Sequence, residues 1–227
     1  MATKKETIII SLGGSLVAPN EIDIGFLKNF RHSLQKYLGT RRFFILVGGG
    51  KICRNYQKAL LEFGAKNIDR DWIGINVSRL NAEVIRQLFS GYAYDKIITD
   101  PNVKIKTNKD IMVGAGWKPG WSTDYVSVLT AKNYDVNTII NLTNVDYVYD
   151  KNPGQFPDAK PLKELDWNSF KNIVGDKWTP GLSMPFDPKA SKVAAKLKLK
   201  VAIINGKNLE RLEDFLNNKP FTGTIIQ

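Results

Sequence analysis

Phe43-Phe44-Ile45-Leu46-Val47-Gly48-Gly49-Gly50-Lys51 runs five apolar residues into three glycines and a lysine, and Lys51 to Phe63 beyond it carries a helical pattern. An uninterrupted short apolar run reads as a strand buried on both faces. A glycine turn at its carboxyl end, followed by a helix, is the βα step of a parallel sheet, where backbone amides gather at a helix N-terminus and favour anions. Upstream, Thr7 to Leu12 has the same form and ends in Gly13-Gly14-Ser15. Either turn alone is equally well explained as a tight chain reversal. Two of them, each after a buried strand, point to phosphate binding at one sheet edge, with glycine leaving the backbone open to phosphate oxygens. Neither has the Walker spacing G-x-x-x-x-G-K-[ST] or the dinucleotide spacing G-x-G-x-x-G.

The same grammar extends in both directions. Ile22 to Tyr37 places Ile24, Leu27, Phe30 and Leu34 at helical spacing, and Trp72 to Phe89 predicts a longer helix with Ile73, Val77, Leu80, Val84 and Leu88 on one stripe. Short strands are expected at Lys96 to Thr99, Lys104 to Ile105, Ile111 to Val113, Thr138 to Leu142, Val201 to Ile204 and Thr224 to Ile226. Helices are expected at Asp124 to Lys132, Asp166 to Val174, Pro188 to Leu197 and Leu209 to Leu216, with a Pro/Gly-containing stretch around Asn152 to Pro161. Alternating strands and helices predict an α/β protein, a three-layer αβα sandwich with a mainly parallel central sheet. We expect one domain over residues 1–227, with an N-terminal lobe to about residue 115 and a C-terminal lobe from about 116.

Composition narrows the function. A hydrophobic fraction of 43% supports a sizeable core, and the formal charge of +11 calls for an anionic partner. The lysines are dispersed, without arginines interleaved with aromatics, which argues against a dedicated nucleic-acid surface. Cys53 is the only cysteine, so there is no intrachain disulfide or thiol cluster for a metal. No apolar run is long enough for a membrane span, and a cytoplasmic location is expected.

Chemistry-bearing residues follow the strands. Arg54 lies one helical turn after Gly50, close enough for its guanidinium to reach the same phosphates, although a solvated helix arginine explains the spacing as well. Gly114-Ala115-Gly116-Trp117-Lys118-Pro119-Gly120-Trp121-Ser122-Thr123-Asp124 is a third loop after a strand; it can hold an acceptor phosphate and stack a base, or merely cap a helix. Thr143 to Pro153 closes a further strand; its polar groups could read an adenine or ribose, but alone the segment favours an ordinary Asn/Asp/Pro turn.

Taken in order, these segments resemble the amino acid kinase superfamily, most closely the archaeal-type uridylate kinases. The matching pieces are I-S-L-G-G-S-L at Ile10 to Leu16, V-G-G-G-K at Val47 to Lys51 with Arg54, D-W-I-G-I at Asp71 to Ile75, S-R-L-N-A at Ser78 to Ala82, P-G-W-S-T-D at Pro119 to Asp124, T-N-V-D at Thr143 to Asp146, and D-P-K-A-S-K at Asp187 to Lys192. The resemblance implies a kinase that transfers the γ-phosphoryl group of ATP to UMP with Mg²⁺. It implies ATP contacts at Gly13, Gly14, Ser15, Gly50, Arg54, Thr143, Asn144, Tyr149 and Asn152. It implies UMP contacts at Gly49, Asp71, Trp117, Lys118, Pro119, Gly120, Trp121, Ser122 and Thr123, with Asp71 facing ribose hydroxyls. Gly14, Arg54, Asp187 and Lys192 would serve transfer itself, with Lys51 and Lys118 as other candidate lysines and Asp146 as another candidate orienting group. A homo-oligomer is implied, a hexamer built as a trimer of dimers through long helices. The chain departs from the family pattern at Tyr147, where glycine is commoner, at Asn152, where aspartate is, at Trp117-Lys118-Pro119-Gly120 in place of T-x-P-G, and at Ser11, where many superfamily members carry lysine. Two other readings use the same residues: a kinase of this fold acting on an acyl or isoprenoid phosphate, and a non-enzymatic nucleotide or oxyanion binder resembling molybdenum storage proteins.

Overall fold

The computed structural model describes residues 5–175 and 184–227. Buried apolar strands assemble into one seven-stranded sheet. In it β1 (Glu6–Leu12) is flanked by β2 (Arg41–Val47) and β4 (Thr138–Thr143), then β3 (Ile111–Gly114) outside β2 and β8 (Lys200–Asn205) outside β4. These five strands are parallel, with Ile10 opposite both Ile45 and Ile140. β9 (Thr224–Ile226) adds antiparallel to β8, and β7 (Glu164–Leu165) pairs parallel with β9. A separate two-stranded ribbon, β5 (Val148–Tyr149) against β6 (Pro161–Leu162), projects from the same half of the chain.

Alternate residues of the central strands feed two cores, the pleat's period of two sending neighbours to opposite faces. Ile10, Leu12, Phe43, Ile45 and Ile140 pack under α1 (Gly14–Val17), α2 (Ile24–Gln35), α4 (Asn67–Leu88) and α8 (Leu209–Leu216). Ile9, Phe44, Leu46, Met112 and Ile203 pack under α5 (Thr123–Tyr134), α6 (Trp167–Val174) and α7 (Pro188–Lys196). The result is the αβα sandwich expected from the alternation. α3 (Gly50–Glu62) packs mainly on α4 and overhangs the sheet edge.

Several elements differ from expectation. Lys96 to Thr99 forms only an isolated bridge, Ile98 to Gly114, and Lys104 to Ile105 forms no strand, because the chain there turns along β3 without entering the ladder. α4 starts at Asn67, five residues before Trp72, and Leu80 on the predicted stripe is 68% exposed. The buried positions are instead Ile75, Val77, Ser78, Asn81, Ala82 and Ile85. Part of the loop expected between Val174 and Pro188, residues 176–183, lies outside the described residues. No described helix is long and apolar enough to cross a membrane.

Candidate active site

The carboxyl ends of β1, β2, β3 and β4 open onto a single cleft of about 250 Å³. Its floor is the crossing of the two glycine turns. A Cβ on Gly14 would stand 2.2 Å from the Gly48 carbonyl oxygen, and one on Gly50, which holds φ +68°, would stand 2.3 Å from the Gly14 carbonyl carbon. Glycine at these two positions therefore serves first to let the two backbones touch. Their close packing brings the N-termini of α1 and α3 to one point. Asn81, buried on α4, donates its amide to the carbonyls of Gly48 and Gly49 at 2.9 and 3.3 Å, while the Gly48 amide donates to the Leu12 carbonyl at 2.9 Å, so the turn is pinned from both sides. Arg54 donates to the Ser15 hydroxyl at 3.1 Å, so the guanidinium from the second turn lies over the first.

The opposite wall is α4 and the segment after β3. Asp71 accepts a hydrogen bond from the Gly120 amide at 2.7 Å, Ser78 takes one from the Gly116 amide at 2.9 Å, and Arg79 donates to the carbonyls of Gly116 and Trp117. Three side chains of one helix thus hold the loop in place. Burial pushes the Asp71 carboxyl above its usual range, against the lowering effects of the Gly120 amide and Lys189. Trp117, Trp121 and Tyr125 form a ladder of rings, with Trp121 and Tyr125 centroids 4.1 Å apart. Lys118 lies over Trp117 at 3.9 Å, and Lys189 over Trp121 at 5.6 Å. Ser122 caps α5 through the Tyr125 amide.

Between the walls lies a pair of carboxyl groups. Ser11 of β1 donates to Asp124 at 3.0 Å, and the Asp187 amide donates to the other Asp124 oxygen at 3.1 Å. Asp187 caps α7 with one oxygen, while its Oδ2 is buried without a protein hydrogen bond among the described residues. Asp124 keeps a narrow opening to the cleft, but dense surrounding protein and the neighbouring Asp187 carboxylate push its carboxyl to about 7. Cys53, also in the wall, is raised to about 11 by burial, so its thiol stays protonated and is not a nucleophile.

The amino acid kinase family model matches residues 6–205. The chain belongs to the amino acid kinase family. It is 32% identical to the uridylate kinase of Pyrococcus abyssi over 97% of this chain and 99% of that one, and 34% identical to that of Methanococcus aeolicus over 96% and 98%. The crystal structure of uridylate kinase from Archaeoglobus fulgidus superposes with a TM-score of 0.81 at 29% identity, covering 97% of this chain and 99% of that one. UMP kinase from Ureaplasma parvum, at 18% identity and a TM-score of 0.79, shares the fold.

Within this amino acid kinase the cleft gathers Gly13, Gly14, Ser15, Gly49, Gly50, Arg54, Asp71, Trp121, Ser122, Thr123, Thr143 and Asn144. Trp117, Lys118, Pro119 and Gly120 do not line it themselves, although Gly120 is bound to Asp71 and Trp117 stacks on Trp121. Tyr149 belongs to the ribbon strand β5 and touches Tyr147 edge-on, and Asn152 makes a turn through the Gly154 amide; neither is among the residues that line the cleft. Asp187 stands behind the lining, touching Asp124, and Lys192 is exposed on α7. Lys51 donates to Asn20, and Asp146 pairs with Arg211 and Asn205, which hold its carboxyl below the usual range. Sequence reasoning left out Ser11 as a partner, Asn141, Gln57 and Lys189. The last was readable as the third residue of D-P-K at the start of α7, and its Nζ reaches the Gly120 carbonyl at 3.3 Å. Gln57 carried only the weak signal of falling one turn after Cys53 on α3.

Proposed function

We propose that the protein is an ATP-dependent uridylate kinase that transfers the γ-phosphoryl group of ATP to the phosphate of UMP. One observation carries this reading: the two glycine turns touch at the floor of one cleft, with Arg54 above them and Asp71 with its tethered loop opposite. Near full-length similarity to uridylate kinases supports it. The acceptor lies mainly on the N-terminal lobe, at Gly49 and Asp71, with Trp121 to Thr123 reaching it from the start of the C-terminal lobe. The donor's nucleoside lies on the C-terminal lobe, toward Thr143, Asn144, Tyr149 and Asn152, and its phosphates reach Gly13 to Ser15, Gly50 and Arg54 of the N-terminal lobe.

A phosphate monoester is largely dianionic near neutral pH, its second pKa being about 6, so the nucleophile needs no strong base. The protein's work is alignment and neutralisation. Glycine amides and Arg54 hold the phosphates, and Lys189 and Lys192 at the start of α7 add positive charge on the acceptor side. No three His, Cys, Asp or Glu side chains cluster as a metal site among the described residues. The Asp124–Asp187 pair supplies two carboxylates, which suits a magnesium ion held mostly by substrate phosphates and water. When bound, the ion neutralises charge on the donor phosphates.

The reading extends to a cytoplasmic homo-oligomer, a hexamer of three dimers, joined through α3 and α4. Its test is an acceptor panel of UMP, CMP, glutamate and isopentenyl phosphate with Mg²⁺-ATP. UMP should give UDP, and Arg54→Ala should lower kcat/KM by roughly 100-fold or more. Turnover of isopentenyl phosphate alone would reassign the acceptor, and ATP binding without turnover of any acceptor would favour a non-catalytic binder.

A further inference from the structure

Asp71, Ser78 and Arg79, which hold the loop after β3, all come from α4. Ties from one helix alone leave a loop to ride with that helix. Lys189 adds a tie from elsewhere. It sits half-buried in the first turn of α7, with its Nζ 3.3 Å from the Gly120 carbonyl and 5.6 Å from the centre of the Trp121 ring. Gly120 is thus gripped twice, its amide by Asp71 and its carbonyl by Lys189. Ala82 and Ile85 of α4 belong to one core and Ala190 and Ala194 of α7 to the other, so the loop is strapped across the sheet edge between two helical layers. Burial raises the Asp71 carboxyl and the Lys189 ammonium opposes that rise, which keeps Asp71 the stronger acceptor for the Gly120 amide.

The same turn of α7 also leads to the donor side. Two residues before Lys189, the Asp187 amide donates to Asp124, whose other oxygen takes the hydroxyl of Ser11, on the strand that carries the first glycine turn. One helical turn therefore reaches the loop through Lys189 and the phosphate-binding strand through Asp124. An ammonium on a flexible stem suits this work, since it can satisfy a carbonyl oxygen and a ring face together. In-line transfer depends on how closely the acceptor is held against the donor. From this geometry we infer that Lys189 is a positioning residue: it fastens the loop of residues 114–123, and with it the Trp121 ring that lines the cleft, to the first turn of α7, and so fixes the acceptor against the donor phosphates. The effect on the acceptor rests on the uridylate kinase reading, whereas the fastening itself does not.

The test compares Lys189→Met, which keeps the stem but loses the charge and the donors, with Lys189→Arg, which restores both. Lys196→Met, at an exposed lysine closing the same helix, is the control. Hydrogen exchange without nucleotide, read by mass spectrometry, should find residues 116–123 protected in the wild type. In Lys189→Met they should exchange roughly 3- to 10-fold faster, the worth of one hydrogen bond. Lys189→Arg and Lys196→Met should exchange like the wild type. In turnover with Mg²⁺-ATP, the KM for UMP should rise by about the same factor in Lys189→Met alone, with the KM for ATP within about twofold of the wild type. Equal rises in both KM values would make Lys189 a general support of the cleft and overturn the inference, as would exchange that Lys189→Met leaves unchanged or Lys189→Arg fails to restore. Unprotected exchange of the loop in the wild type overturns it without any variant, so the inference stays testable if Lys189→Met does not fold. Absence of UMP turnover alongside the expected exchange pattern would remove the kinase reading and leave the fastening in place.

Discussion

A carboxyl group with a pKa near 7 changes charge within the range where enzymes are ordinarily assayed, and Asp124 is such a group. Its folded value lies above the 3.8 of an unhindered aspartate, so the folded chain holds a proton that the unfolded chain releases. Its contribution to stability is full below about pH 4 and is lost as pH rises through about 7. Asp124→Asn keeps the shape and the acceptor for the Asp187 amide but cannot ionise. The melting temperature of this variant should change less between pH 5 and pH 8 than that of the wild type; parallel curves would show that Asp124 is already ionised at pH 5. Gly50 makes a second residue-scale case. Sequence marked the glycine turns as the place where phosphate binds, and the structure adds that Gly14 and Gly50 touch each other, a contact between distant segments that no local pattern records. Gly50→Ala meets both a positive φ and a 2.3 Å clash, and strain of about 1–3 kcal/mol is expected from the dihedral alone. Denaturant unfolding should show at least that loss.

At the scale of elements, α4 joins fold to site. Its inward face carries Ser78 and Asn81 among Ile75, Ala82 and Ile85, because those polar groups hold the loop after β3 and the turn after β2. A hydrophobic pattern cannot distinguish such a face from a solvated one, and this is why the predicted stripe ran through the exposed Leu80. Strands built around an apolar run, β1, β2, β4 and β8, were legible almost to their ends, and α8 and β9 to the residue. The two-residue strands β5, β6 and β7 were not, since their pairing depends on partners far along the chain. The site followed the same rule. Motifs at strand ends were readable, while the Ser11–Asp124–Asp187 contact joins three elements and carries no local mark. Asn81→Ala tests the joining role: it removes donors to two carbonyls of the second turn, at a cost of about 1–3 kcal/mol if they stay buried. The KM for ATP should rise along with the loss of stability. A stability loss with unchanged KM would show that the turn holds its shape without α4.

For the molecule as a whole, the α3–α4 pair is more apolar than its exposure warrants. Tyr56, Phe63, Ile68, Trp72 and Leu80 are all exposed, Phe63 at 82%. Scattered apolar residues are ordinary on surfaces, but Tyr56 and Leu61 on α3, Phe63 at its C-cap, and Ile68, Trp72 and Leu80 on α4 are six large ones on one helix pair, the sort of surface that a second copy covers. The formal charge of +11 opposes self-association, so contact between two copies needs this apolar area to outweigh repulsion that salt screens. Two consequences separate the proposed interface from a role in nucleic-acid binding. Raising salt should tighten the oligomer, whereas affinity for a polyanion would fall steeply. The double substitution Trp72→Glu and Leu80→Glu should raise the subunit dissociation constant by roughly 100-fold or more, at about 1.5–3 kcal/mol for each large side chain covered. Both side chains are exposed within the subunit, so circular dichroism and thermal unfolding of the dissociated form should report an intact fold. Sedimentation across 50 to 500 mM salt, in steps of about 100 mM, reads both effects. A mass that the substitutions leave unchanged would move the interface elsewhere, and a mass that falls with salt would replace apolar contact with charge pairing as the force that holds the copies together.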